Sequence, residues 1–175
     1  MKYSKSKTFL QLALLVYLTV PAFAGEVKLH VEMTGGSFDA KSHDVRGVVK
    51  QVGNQLTAKE IVVPLAALNS GNSLRDNHMK NKYLEAGKYP NAVLSDVKAQ
   101  DGKFTGKLTV HGVTKPVNGE YEVKDKNVSA TFKTQLTNHS VPAVSYMGIG
   151  VEDEVEITAT VPVETVNTHL PVSKK

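Results

Sequence analysis

From Glu26 to Val161 apolar side chains return mostly at every second position, the period of a strand with one oily and one wet face. Phe104, Gly106, Leu108 and Val110 alternate with Lys103, Thr105, Lys107 and Thr109, and Val117, Gly119, Tyr121 and Val123 alternate with Asn118, Glu120 and Glu122. Val128, Ala130, Phe132, Thr134 and Leu136 form a third row. Val155, Ile157, Ala159 and Val161, set against Glu154, Glu156, Thr158 and Thr160, form a fourth. Between the rows stand Asp101-Gly102, the region of Gly112, and Asp125-Lys126-Asn127, residues that tolerate tight or left-handed backbone. The stretch from Gly106 to Pro116 reads as strand, tight turn and strand. The whole pattern predicts eight strands, near residues 26–33, 37–50, 54–63, 92–99, 102–111, 115–124, 127–136 and 152–162.

The segment from Asn69 to Pro90 breaks this rhythm. Asn72 or Ser73 is placed to cap a short helix starting at Leu74, and Pro90 stops it before the next strand. Leu74, His78 and Met79 are expected to face inward, with Asp76, Asn77 and Lys80 outward, as a lid between the third and fourth strands. Short hairpin-linked strands with one apolar face build either a two-sheet sandwich or a closed barrel, and periodicity alone does not separate the two. The interior of an eight-stranded barrel is either filled by side chains or holds one small ligand. Four expected inward positions, Gly106, Gly119, Ala130 and Ala159, are small and leave room.

Ahead of the strands, Lys2, Lys5 and Lys7 precede an apolar run from Phe9 to Val20, and Ala22 and Ala24 precede Gly25. This is the pattern of a cleaved secretory signal, with cleavage expected between Ala24 and Gly25. The run is much shorter than the roughly 20 residues a membrane-spanning helix needs. The expected organisation is a signal peptide over 1–24, one domain over 25–163 and a tail over 164–175, giving a soluble exported protein with no stable membrane insertion. There is no cysteine, so disulfides, thiolate metal sites and thiol nucleophiles are excluded. Loss of three lysines with the signal reduces the 21 basic residues to 18, against 17 acidic ones. That balance argues against nucleic-acid binding driven by phosphate neutralisation.

Candidate chemistry is sparse. The histidines at 30, 43, 78, 111, 139 and 169 lack the close pairs of a metal site, so no metal and no cofactor is expected. Ser73 and Ser145 have no elbow motif, and Asp76 and His78, two apart on a helix, do not face each other as members of a triad would. No catalytic residue is assigned. Gly148 and Gly150 precede a strand and not a helix, the wrong context for a phosphate loop. For Arg75 and Asp76 the residues favour a fastening role at the barrel rim, and for His78 a packing role; His111 is placed to order its turn.

Four anchors stand in order along the chain: Arg75-Asp76-Asn77-His78-Met79; Lys88-Tyr89-Pro90; Gly106-Lys107-Leu108-Thr109-Val110-His111-Gly112-Val113-Thr114-Lys115-Pro116-Val117; and Val151-Glu152-Asp153-Glu154-Val155-Glu156-Ile157. Over about Val27 to Val163 the chain resembles the YceI-like family. The resemblance implies an all-β, antiparallel lipocalin-like barrel in the periplasm whose apolar interior holds an isoprenoid-like or other amphipathic lipid. It leaves dimerisation through strand or lid contacts open. On that reading Phe104, Leu108, Val110, Tyr121, Phe132 and Ile157 line the ligand tube, and Arg75 and His78 meet its polar end. The opening strand, Lys28-Leu29-His30-Val31-Glu32-Met33-Thr34-Gly35-Gly36, departs from the family pattern, which commonly carries a histidine-serine pair there. Two alternatives stand beside the carrier: a ligand-free structural or interaction module with a filled interior, and a lipid-modifying enzyme.

Overall fold

A computed structural model describes residues 25–146 and 149–166. The signal-peptide reading of 1–24, most of the expected tail and part of the Gly148 motif therefore lie outside the described residues. Among the described residues ten strands form: β1 (Glu26–Met33), β2 (Gly36–Ser42), β3 (Val49–Val52), β4 (Gln55–Pro64), β5 (Asn91–Gln100), β6 (Lys103–Val110), β7 (Val113–Lys124), β8 (Asn127–Gln135), β9 (Ser145–Tyr146) and β10 (Ile149–Thr165). Their order is β2-β1-β10-β3-β4-β5-β6-β7-β8, and β8 pairs back onto β10. The ring of β10 and β3 to β8 is thus a closed barrel of seven strands, with β1 and β2 as additions.

Strand β10 is long enough to pair, beyond the short β9 at its start, with three further strands. Glu154–Pro162 pair with β8 along one edge, and residues 151–160 pair with β1 along the other. Farther along that second edge, Val163–Thr165 pair in parallel with Val49–Gln51 of β3. The β1–β2 hairpin therefore walls one end of the barrel and β3 the opposite end. The outer edge of β2 is tied across to the lid segment by Lys41 and Asn69, which exchange both backbone hydrogen bonds at 2.8 Å.

The expected strand over 37–50 is two strands, and this largely accounts for the difference between eight and ten. The chain must leave the β1–β2 wall, pass β4, and re-enter beside the end of β10. Gly47 makes that passage with φ +122°, and a Cβ there would lie 2.4 Å from the Glu60 carbonyl. No other residue type allows such close crossing of two backbones at that φ. The two-residue β9, antiparallel to the start of β10, carries no alternation for sequence reading to find. The β10–β3 pairing departs from the expected all-antiparallel arrangement, and β10 continues through Thr165 into the region read as a tail.

Elsewhere the turns follow the expected chemistry. Asp101-Gly102, His111-Gly112 and Asp125-Lys126 each hold both residues at positive φ, between +50° and +79°. Such turns match the right-handed twist of the strands they join. The expected inward rows form much of the core, with Phe104, Leu108, Val117, Val128, Phe132, Val155 and Val161 all buried, while Val123, expected inward near the end of β7, is exposed.

Candidate ligand cavity

Between the β1–β2 wall and the lid lies a cavity of about 340 Å³. Leu29, Val31 and Met33 of β1 and Phe38 and Ala40 of β2 form one side. Leu136, Val141, Val144, Ile149, Val151 and Val155 form the floor and the far side. Over the top lies the lid, which contributes Asn72, Leu74, Arg75, His78, Met79, Tyr83 and Leu84. The lining is apolar apart from a few polar groups carried by the lid. Leu74 and Ile149 stay 57% and 46% exposed while lining it, so the mouth itself is greasy.

At the other end of the barrel a second apolar hollow, of only about 40 Å³, is lined by Leu56, Ile61, Phe104, Tyr121, Ala130, Ala159 and their neighbours. The register of the strands shows what separates the two. Along β8 and the turn after it, Leu136 lines the cavity, Phe132 lines neither space, and Ala130 and Val128 line the small hollow. Along β10 the same order is Val155, then Ile157, then Ala159 and Val161. Ile157 pairs directly with Phe132.

That intermediate layer is a packed partition. Phe132 meets Phe104 edge to face, with centroids 5.6 Å apart, a favourable aromatic geometry. The Phe104 ring and the Phe132 Cβ close over Gly119, where a Cβ would come within 2.7 Å of Phe104 Cε1 and 2.8 Å of Phe132 Cβ. The space that Gly119 leaves is therefore taken by the Phe104 ring and the base of the Phe132 side chain and is not part of a cavity. Gly106 is similarly filled, by Leu94 and Val97. Only Ala130 and Ala159, of the four small inward residues, border open space.

The lid is a short α-helix, α1 (Ser73–Asn77), running into a π-helical turn over His78–Tyr83. Asn72 caps it: its side-chain oxygen accepts from the backbone N–H groups of Leu74 and Arg75, both at 3.1 Å. Ser70 is clasped from two sides. Asp76 Oδ1 accepts from the Ser70 hydroxyl at 2.6 Å and from its backbone N–H at 2.9 Å. Burial alone would raise the Asp76 pKa, but these bonds and the nearby Lys80 and Arg75 outweigh it and hold the carboxyl below its ordinary value. Arg75 donates from Nε to Ser70 Oγ and from Nη2 to the Ser70 carbonyl, both at 2.9 Å. Its guanidinium lies 4.1 Å from the Phe38 ring centroid, a cation–π contact that ties the lid to β2.

The far end of the lid is latched to the β6–β7 hairpin. His111 packs at a tilt of 56° against Tyr89, with centroids 4.4 Å apart, and its Nε2 bonds the Glu85 carboxylate. A Cβ on Gly112 would lie 2.7 Å from the Tyr89 ring. Two of the sequence anchors, the Tyr89-Pro90 and the His111-Gly112 segments, thus turn out to be the two halves of one contact. His139, with 0% exposure, is a core fastener that sequence reading did not single out. It donates from Nδ1 to the Val113 carbonyl and bonds Thr134 Oγ1 through Nε2, both at 3.0 Å. On the outside of β1, His30 bonds Asp39 and Glu32, and those bonds, Asp39 first, raise its pKa above the ordinary value.

The sequence-named residues fall in three places. Arg75 and His78 line the large cavity. Phe104 and Tyr121 line the small hollow. Leu108, Phe132 and Ile157 belong to the buried core between them, and Val110 packs against that core from a partly buried position. The side wall built by Leu29, Val31, Phe38 and Ala40 was not named from sequence, although the alternation Val27, Leu29, Val31, Met33 carried the signal. Among the described residues no three His, Cys, Asp or Glu side chains gather to hold a metal ion.

A family model described as the YceI-like domain matches residues 22–163. Among curated proteins, a UPF0312 protein of Vibrio campbellii is 41% identical over 68 residues, which cover 35% of this chain and 36% of that protein. UPF0312 protein plu2095 of Photorhabdus laumondii is 39% identical over 62 residues, covering 33% of this chain and 32% of that one. The match spans about a third of the length of these relatives. Among solved structures, BcnA of Burkholderia cenocepacia superposes with a TM-score of 0.62 at 18% identity, over 78% of this chain and 94% of that one. A polyisoprenoid binding domain from Saccharophagus degradans, implicated in plant cell wall breakdown, superposes with a TM-score of 0.58 at 11% identity, over 78% and 91%. At these identities the likeness is one of fold.

Proposed function

Starting from a chain that belongs to the YceI-like family, we propose that it is an exported, periplasmic binding protein that carries a lipophilic ligand in the cavity under its lid. One observation carries this reading: a cavity of about 340 Å³ with an almost wholly apolar lining, opening between Leu74 and Ile149. Water has few partners there, and apolar surface moved into it gains about 25 cal/mol per Å². A ligand burying roughly 300 Å² would gain on the order of 7 kcal/mol before the costs of association, which places affinity in the roughly micromolar range or weaker.

The same-fold domain from Saccharophagus degradans is described as binding a polyisoprenoid, which supports a ligand of that chemical kind here. The polar end of the ligand lies at the mouth, near Arg75 and His78, because the rest of the lining offers no polar group of comparable reach. Export rests on the basic and then apolar N-terminal segment.

The test of binding is the fluorescence of N-phenyl-1-naphthylamine, an uncharged apolar dye, on titration with purified protein. Saturable enhancement, weakened by Ala40→Glu in a folded variant, is expected. No saturable enhancement contradicts the reading. For export, mass spectrometry of the protein released by osmotic shock should give a chain beginning at Gly25, and retention of the intact chain in the cytoplasm contradicts it.

A further inference from the structure

We infer that the ligand of this chain is a compact lipophile, with about fourteen non-hydrogen atoms inside the cavity, and that Phe132 is the residue that sets this length limit. The inference rests on the proposed binding reading and narrows its ligand class.

The argument is geometric. A cavity of about 150 Å³ admits benzene, so 340 Å³ accommodates roughly fourteen heavy atoms at the same density. A long polyprenyl chain is several times that size and needs a continuous tube. The interior is instead interrupted. Phe132, Ile157 and Leu108 are buried and border neither space, while their neighbours along the same strands border one or the other. The hollow beyond the partition, about 40 Å³, takes no more than a small group.

The partition is built to stay. Phe132 is held by the edge of Phe104, by its pairing opposite Ile157, and by the bare backbone of Gly119 beneath it. A chain too long for the cavity cannot advance into the barrel without dislodging this ring. It must leave its excess outside the mouth, where added carbons gain nothing because they stay in water.

The test is a ladder of prenyl alcohols of increasing length. Geraniol, farnesol, geranylgeraniol and solanesol, each delivered from cyclodextrin, compete with N-phenyl-1-naphthylamine for the purified protein. The displacement readout suits a chain with no tryptophan. Affinity is expected to rise at least about tenfold from geraniol to farnesol and to change by less than about threefold from there to solanesol. In Phe132→Ala, which joins the two spaces, geranylgeraniol is expected to gain at least about tenfold over farnesol. Phe132→Leu, which keeps more of the core, should show a smaller shift in the same direction, and circular dichroism melting establishes that each variant is folded.

Affinity that keeps climbing with length in the unmodified protein overturns the inference and leaves the binding reading intact, as does an unchanged ladder in folded Phe132 variants. If the dye binds but no alcohol displaces it, the compact-prenyl assignment falls alone. If neither dye nor alcohol binds, the binding reading itself falls, and this inference with it.

Discussion

Replacing Gly119 by alanine adds one carbon to the middle of β7, and the structure gives a size to the consequence. An ideal Cβ there would stand 2.2 Å from the Thr131 carbonyl oxygen, 2.7 Å from Phe104 Cε1 and 2.8 Å from Phe132 Cβ. The Phe104 ring contact could relax by a small side-chain movement. The Thr131 carbonyl and the Phe132 Cβ cannot, because both are fixed by the backbone of β8, whose Thr131 and Phe132 pair with Glu120 and Gly119 of β7. An open strand position would favour alanine over glycine by roughly 0.5–1 kcal/mol. Overpacking a tight core costs typically 1–3 kcal/mol, and a clash with backbone belongs at or above the top of that range. The expected net loss is about 3 kcal/mol, which for a domain of this size lowers Tm by roughly 6–12 °C. Gly87→Ala is the control: a Cβ there meets nothing within 4 Å, so the change should stay within about 1 kcal/mol. Reversible thermal and urea unfolding followed by circular dichroism measures both. A Gly119→Ala protein within about 1 kcal/mol of the parent would show that Phe104 and Phe132 do not close over this position, and the account of the partition would be wrong.

Four further outcomes follow from the lid and the outer face. Losing the His111 ring in His111→Ala removes the Tyr89 contact and the Glu85 bond, and since Glu85 is almost half exposed the expected cost in urea unfolding is only about 1–2 kcal/mol. His111→Gly should be about 1 kcal/mol less destabilised than His111→Ala, because glycine accepts φ +51° freely; equal losses would remove the left-handed turn from the explanation. Asn72→Ala should cost about 1 kcal/mol through the lost cap, with faster hydrogen exchange at the Leu74 and Arg75 amides, and unchanged exchange there would count against the cap. By NMR titration His30 should ionise above the ordinary 6.5, and Asp39→Asn should bring it down. Its pKa is raised by folding, so whatever stability it adds is fully present below pH 6.5 and is lost as pH climbs through the raised value. A midpoint at or below 6.5 would contradict the contact with Asp39.

The strands were legible wherever one face was oily over a whole strand, as in β6, β7, β8 and the middle of β10. The periodicity failed where long-range geometry decided. No local signal marks that residues 43–48 must cross β4, because the close approach at Gly47 is to Glu60, which sequence does not place nearby. The third partner of β10 is equally silent, since a parallel pairing of three residues leaves no pattern of its own. For the site, alternation told which residues point inward but not at what depth. Leu108, Phe132 and Phe104 share a periodicity, yet only the register shows that the first two separate two spaces and the third borders the smaller. Small residues misled for the same reason: a glycine opposite two phenylalanines marks filled volume. The Lys88-Tyr89-Pro90 and His111-Gly112 segments were visible as two motifs, while their contact, and the Glu85 bond beside it, was visible only in the fold.

The most direct measurement of the central claim, a lipophile held under the lid, is native mass spectrometry of the protein purified without detergent from its own host. The account predicts a chain carrying one discrete additional mass, of a compact apolar molecule, that disappears on organic extraction and is absent from folded Ala40→Glu protein. Only the bare chain, or an added mass that survives in the Ala40→Glu protein unchanged, would contradict it.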